Sequence, residues 1–120
     1  FVGSFTNGGA SIAFADQARK GGYSDNITVK NCTFATEGAW YNIYGYYMGN
    51  GGYFVLENNV FETAVFYGTM YLGRYTYGNN VTVKGNTFKT VSSLDDAVYI
   101  QNNSGNRVAV KVAENNTFAN

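Results

Sequence analysis

The only adjacent carboxylates in the chain are Asp95 and Asp96. Two carboxyls, one an acid and the other a base or nucleophile, are what glycoside hydrolysis requires. Arg74 offers a second chemistry, because a guanidinium grips a carboxylate such as a uronate's in a two-pronged fork. No acidic cluster accompanies Arg74, and calcium would want six to eight oxygens. The plain readings are an ordinary surface arginine and, for Asp95-Asp96 after Ser92-Ser93-Leu94, a solvated turn before a strand. The chain has no histidine, which excludes a Ser-His triad, an imidazole base and the usual zinc site. The single cysteine, Cys32, excludes an intrachain disulfide and a cysteine metal cluster. Neither a metal nor a cofactor is expected.

Aromatic residues are the other chemical signal: 18% of the 120 residues, with 11 Tyr and 9 Phe. Trp40, Tyr41, Tyr44, Tyr46 and Tyr47 fall close together, then Tyr67, Tyr71, Tyr75 and Tyr77, then Tyr99. Flat rings with hydroxyl tips suit sugars, whose axial C–H groups lie on the ring face, and they suit protein interfaces. Tyr44, Tyr71, Tyr99, Trp40 and Tyr47 are therefore the expected ligand-binding residues. The plainer reading is an aromatic ladder that stabilises packing, at ~0.2–1 kcal/mol per cross-strand pair. Stacking, a protein contact and glycan binding all stay open.

The elements that would position these residues come from an internal repeat. Segments starting at 26, 53, 80 and 107 are each 27 residues apart. They share Ile27/Phe54/Val81/Val108, Val29/Leu56/Val83/Val110, Lys30/Glu57/Lys84/Lys111 and Phe34/Phe61/Phe88. In the last copy, Asn116-Thr-Phe118 follows after three extra residues, read as the insertion Ala113-Glu114-Asn115. Apolar and polar residues alternate at the start of each copy, which predicts strands with one buried face. Asn, Gly and Thr follow, predicting a tight turn. A second alternating stretch puts Ile12/Ile43/Met70/Val98 and Phe14/Gly45/Leu72/Ile100 inward, with Ala13/Tyr44/Tyr71/Tyr99 outward. Asp16, Tyr47, Arg74 and Asn102 continue as one outward line. No helical period persists, and proline is absent, as strands paired on both sides require. The expectation is an all-β solenoid of roughly four coils, one domain over residues 1–120, with like residues about 4.8 Å apart on successive coils.

The pattern Asn-x-x-Val-x-x-Asn-x-Phe at 80–88 resembles the repeats of right-handed parallel β-helices of the pectin-lyase-like superfamily. The column Cys32/Asn59/Asn86/Asn116 resembles the asparagine ladder of that fold, in which side-chain amides bond from coil to coil. Cys32 departs from it, so the ladder should end there. Phe34, Phe61, Phe88 and Phe118 form the accompanying ladder, with Phe1 as its first member. The resemblance supplies the right-handedness. It also implies that polysaccharide lyase or glycoside hydrolase activity could reside on such a scaffold. Polygalacturonases of this fold carry an Asp-Asp pair, but with a further Asp, a histidine-containing loop and an Arg-x-Lys segment that are not recognisable here.

Five Asn-x-Ser/Thr sequons, at Asn26, Asn31, Asn80, Asn102 and Asn115, read as by-products of a repeat written in Asn and Thr. With 8 Lys+Arg against 8 Asp+Glu, no basic patch for nucleic acid is expected. No apolar run approaches the ~18–20 residues that cross a bilayer, so membrane insertion is not expected. Neither end carries an obvious cap, which reads as a segment of a larger protein or a unit that self-associates end to end. The favoured reading is a non-catalytic structural or adhesive module, extracellular or at the cell surface. Its expected partner is a polysaccharide or a protein, met through the Tyr-rich face. The alternative is a piece of a carbohydrate-active enzyme using Asp95, Asp96 or Arg74.

Overall fold

The computed structural model describes residues 1–6, 8–14, 26–46, 52–73 and 80–119. Asp16, Tyr47, Arg74, Tyr75 and Tyr77 lie outside them. The chain opens with a partial coil, β1 (Val2–Ser4) and β2 (Ala10–Phe14). Three full coils follow. The first is β3 (Ile27–Lys30), β4 (Thr33–Glu37) and β5 (Tyr41–Tyr46). The second is β6 (Phe54–Glu57), β7 (Val60–Phe61) and β8 (Gly68–Gly73). The third is β9 (Val81–Lys84), β10 (Thr87–Phe88), a helical turn α1 (Leu94–Ala97) and β11 (Val98–Ile100). A last partial coil holds β12 (Val112–Glu114) and β13 (Thr117–Phe118). Like strands stack into three parallel sheets, ordered β1-β4-β7-β10-β13, β11-β8-β5-β2 and β12-β9-β6-β3. The chain is a parallel β-solenoid.

The registers follow the repeat. Ile27 pairs with Phe54 and Phe54 with Val81, while Val29 pairs with Leu56 and Leu56 with Val83. Phe54, Leu56, Val81 and Val83 are fully buried, because alternation turns every second side chain into the lumen. Stacking like on like places phenylalanines in one column. Successive ring centroids from Phe1 through Phe34, Phe61 and Phe88 to Phe118 lie 4.8, 4.8, 5.1 and 5.3 Å apart.

Beside that column runs a chain of amides. Asn59 Oδ1 accepts from Cys32 N at 3.0 Å, and Asn59 Nδ2 donates to Val29 O and to Asn86 Oδ1. Asn86 repeats this with Leu56 O and Asn116 Oδ1, and Asn116 Nδ2 donates to Val83 O. At Cys32 the side-chain ladder stops; its thiol donates instead to Lys30 O at 3.3 Å. The residue just before each rung is left-handed: Asn31, Asn58, Gly85 and Asn115 have φ of 59°, 55°, 69° and 57°. Asn and Gly tolerate that conformation best, which explains why the turns are written in them. Two of the sequon asparagines, Asn31 and Asn115, hold these turn positions.

The last coil corrects the sequence register. Val112, Ala113 and Glu114 pair with Thr82, Val83 and Lys84, so Val108, Val110 and Lys111 do not continue the columns of the first three copies. The three extra residues lie upstream of β12, not at 113–115. They are absorbed where Gln101 and Arg107 form an antiparallel bridge. Asn102 closes that loop: its N donates to Asn106 O, and its Oδ1 accepts from Ser104 N and Asn106 N. The consequence is a 30-residue step from Asn86 to Asn116 that keeps the amide ladder intact. On the outer face Glu114, not Lys111, therefore sits beside Lys84, whose ammonium is 3.7 Å from Glu57.

Candidate functional site

The sheet β11-β8-β5-β2 carries the aromatic face. Ala13 pairs with Tyr44, Tyr44 with Tyr71, and Tyr71 with Tyr99. Each is flanked by inward residues: Ile43, Met70, Leu72 and Ile100 are buried. The phenol rings stack at 5.5 Å with 14° between planes, both from Tyr44 to Tyr71 and from Tyr71 to Tyr99. This geometry alters the simple expectation of flat rings offered to solvent. Parallel strands place like rings face to face, so the faces of Tyr71 are covered by its neighbours and the ring edges point outward.

The stack is held from its flank. Tyr41 lies 5.5 Å from Tyr44 and from Tyr71, and 5.8 Å from Tyr67. Trp40 meets Tyr67 edge-on at 6.0 Å. Tyr67 and Trp40 are 68% and 46% exposed, so the surface of this cluster is open. Two clefts of about 320 Å³ each flank Tyr41. One lies among Tyr67, Tyr71, Tyr99, Asp96 and Arg107. The other lies among Gly9, Ala10, Ala13, Trp40 and Tyr44.

Arg107 is the residue that sequence reasoning missed. Its guanidinium carbon sits 4.6 Å from the centre of the Tyr99 ring and so closes that end of the stack. Its Nη2 donates to Asp95 O at 2.6 Å and Val98 O at 3.1 Å, and lies 3.8 Å from Asp95 Oδ1. With the fourth copy at 107–111, Arg107 falls in the column of Asn26, Tyr53 and Asn80, just before the expected strand, and no role is expected of it. The Asn/Gly-rich run at 102–106 was the signal for a loop that lifts it over Tyr99.

Asp95 and Asp96 are exposed and stand just before β11. They fall in the first turn of α1, whose N-cap Ser93 accepts from Asp96 N at 3.3 Å. Acidic residues belong there, next to the unpaired N–H groups of a helix start. Both line the Arg107 cleft, and the Asp95 side chain is 91% exposed. The aspartate pair and the tyrosine stack are thus neighbours. Arg74 and Tyr47, the remaining sequence candidates, lie outside the described residues. Among the described residues no three His, Cys, Asp or Glu side chains group to hold a metal ion.

The phenols hold their protons tightly. Burial pushes the Tyr71 phenol up to about 12, and the neighbouring phenols Tyr46, Tyr44, Tyr41 and Tyr99 add to the shift. Burial first, then nearby phenols, also raises Tyr41 and Tyr44. The Tyr71 hydroxyl donates to Gln101 Oε1 at 2.7 Å. At neutral pH these groups are hydrogen-bonding hydroxyls, not bases.

A pH dependence follows. An ordinary phenol titrates at 10.0 and folded Tyr71 at about 12, so between them the folded chain binds more protons than the unfolded one. The stability tied to this difference is complete below pH 10 and is lost as pH rises through 12. Melting temperature should fall across that interval. Tyr71→Phe should flatten the fall. A melting temperature independent of pH there contradicts the buried-phenol picture.

No family model, no curated protein and no solved structure matches the chain. What the geometry defines is a parallel β-solenoid with an exposed Tyr/Trp-rich face, a shape suited to a structural or binding module.

Proposed function

We propose that the protein is a non-catalytic, extracellular or cell-surface solenoid module that binds glycan through its Tyr/Trp-rich face. One observation carries the reading: an aromatic row fixed by strand register, with Trp40 and Tyr67 exposed beside it and open clefts on both sides of Tyr41. A rigid row of phenol edges costs little ordering on binding. Each hydroxyl both donates and accepts, as sugar hydroxyls do.

The second reading is a carbohydrate-active enzyme fragment. It is favoured by Asp95 and Asp96 opening into the same cleft as Tyr99, and by the resemblance of the repeats to pectin-lyase-like β-helices. Against it, the chain has no histidine. The described acids are also too sparse to gather a cation.

A polysaccharide panel with two readouts tests both. Retention on a polysaccharide should fall about tenfold in Tyr67→Ala, the loss of ~1.4 kcal/mol expected for one aromatic contact. Tyr67 is 68% exposed, so the fold should survive the change. Release of reducing or unsaturated ends, abolished by Asp95→Asn with Asp96→Asn, would replace the module by an enzyme. Retention unaffected by Tyr67→Ala would remove the aromatic face from the reading.

A further inference from the structure

We propose that the open end of the tyrosine stack is a slot for one uncharged pyranose ring, held between Tyr44 and Ala13 and walled by Trp40 and Tyr41. The proposal rests on the glycan-binding reading and names the ligand class and its seat.

The stack has unequal ends. Tyr71 is covered on both faces by Tyr44 and Tyr99. The outer face of Tyr99 lies under Arg107. The remaining face, that of Tyr44, looks toward Ala13, its partner on the adjoining strand. Three coils place a phenol at this position. The fourth places a methyl group, and Ala13 is exposed. A cavity of about 320 Å³ occupies the place where the next ring would lie. That is the low end of ligand-pocket sizes, ~300–1,000 Å³, which suits a sugar ring or two rather than a long segment.

The slot is built. Gly9 O accepts from both Trp40 N, at 2.9 Å, and Tyr41 N, at 3.2 Å, which ties the two aromatic walls to the first coil. Gly8 has φ +85°, and a Cβ there would fall 2.1 Å from Trp40 Cε2, so only glycine lets the indole lie where it does. Tyr67 supports its other side. Tyr41, tilted 40° to Tyr44, forms the flank.

The chemistry of the lining selects the occupant. Among the described residues the lining is Gly, Ala, Trp and Tyr, and none of these carries a charge. A uronate would lose the hydration of its carboxylate without gaining a partner. A neutral hexose or N-acetylhexosamine presents C–H groups to the Tyr44 face and hydroxyls to the phenols of Tyr41 and Tyr44. Burial keeps those phenols protonated. The Arg107 cleft, with Asp95 and Asp96, has a different character.

The test uses the single tryptophan of the chain, Trp40, as reporter. Cellohexaose, chitohexaose and oligogalacturonate are titrated while Trp40 emission is read. One of the neutral oligomers should shift the emission saturably, with an affinity unchanged between low and high salt, and oligogalacturonate should not. Ala13→Tyr adds the ring that the other coils carry; it should keep the melting temperature and weaken binding at least tenfold. Should Ala13→Tyr melt early, Ala10→Leu narrows the slot from the same strand and serves the same comparison. Unchanged affinity in a folded slot-filling variant overturns the slot. If Tyr67→Ala still reduces polysaccharide retention in that case, the broader glycan-binding reading stands. Preferential binding of oligogalacturonate overturns the neutral assignment. A Trp40 shift that tracks protein concentration, with dimers in sedimentation, assigns the slot to a second copy instead. No response to any oligomer and no polysaccharide retention overturn both.

Discussion

Phe61→Ala should destabilise the protein by about 3–5 kcal/mol, the usual cost of emptying a buried phenylalanine site. The ring is 1% exposed and lies between Phe34 at 4.8 Å and Phe88 at 5.1 Å. Neither neighbour can shift to fill the gap, because each is pinned by its own strand register. Domains of this size hold ~5–15 kcal/mol in total, so the loss is a large part of the whole. Thermal unfolding reads it as a fall of ten degrees or more. Phe118→Ala is the matched control: it ends the column and is only partly buried, so its effect should be smaller. Equal melting temperatures for wild type and Phe61→Ala would refute a stability role for the column.

Asn86→Ala should be comparably damaging, for a different reason. The side chain is 1% exposed and its oxygen accepts from Asn59 N and Asn59 Nδ2. Its nitrogen donates to Leu56 O and Asn116 Oδ1. Removing it leaves Asn59 N and Leu56 O without these partners inside the solenoid. Two orphaned groups at ~1–3 kcal/mol each give a loss on the order of 2–6 kcal/mol. Asn86→Asp tests whether the amide itself matters, since a carboxylate keeps the acceptor and removes both donors. Urea unfolding curves should place both variants well below wild type. A midpoint for Asn86→Ala equal to that of wild type would show that water or neighbours replace the amide.

Two of the three sheets, and their registers over the first three copies, were legible because solenoid stacking turns a sequence period directly into a spatial column. The third, β1-β4-β7-β10-β13, forms where Asn, Gly and Thr predict only a turn, although its phenylalanine column was readable. Ile27, Phe54 and Val81 need no tertiary information to be matched. The fourth copy misled because Val108, Val110 and Lys111 imitate the alternation of the earlier strands. Two signals conflicted there: apolar alternation at a step of 27 and Asn116-Thr-Phe118 at a step of 30 from Asn86-Thr-Phe88. The fold follows the second. A buried amide has directional partners to keep, whereas an apolar strand residue can be exchanged for another. The outward placement of Tyr44, Tyr71 and Tyr99 was legible from alternation. Their stacking into a ladder follows from the same strand register; that Arg107 would cap Tyr99 required the loop at 102–106. The proximity of Asp96 to Tyr99 likewise depends on α1, a four-residue helix too short to show a period.

The break in the amide ladder at Cys32 sets the order in which the solenoid comes apart. Counting side-chain amide bonds at each junction, Asn59–Asn86 and Asn86–Asn116 have three apiece and Cys32–Asn59 has two. One bond fewer, at ~0.5–1.5 kcal/mol, multiplies the chance of local opening by roughly two to twelve. In a row of units coupled only to their neighbours, the weakest coupling fixes where unzipping starts. The solenoid should therefore fray from the β3 side, with β9 and β6 closed for longer. It behaves as a stack whose loosest joint lies between the plate of Trp40, Tyr41 and Tyr44 and the plate of Tyr67 and Tyr71.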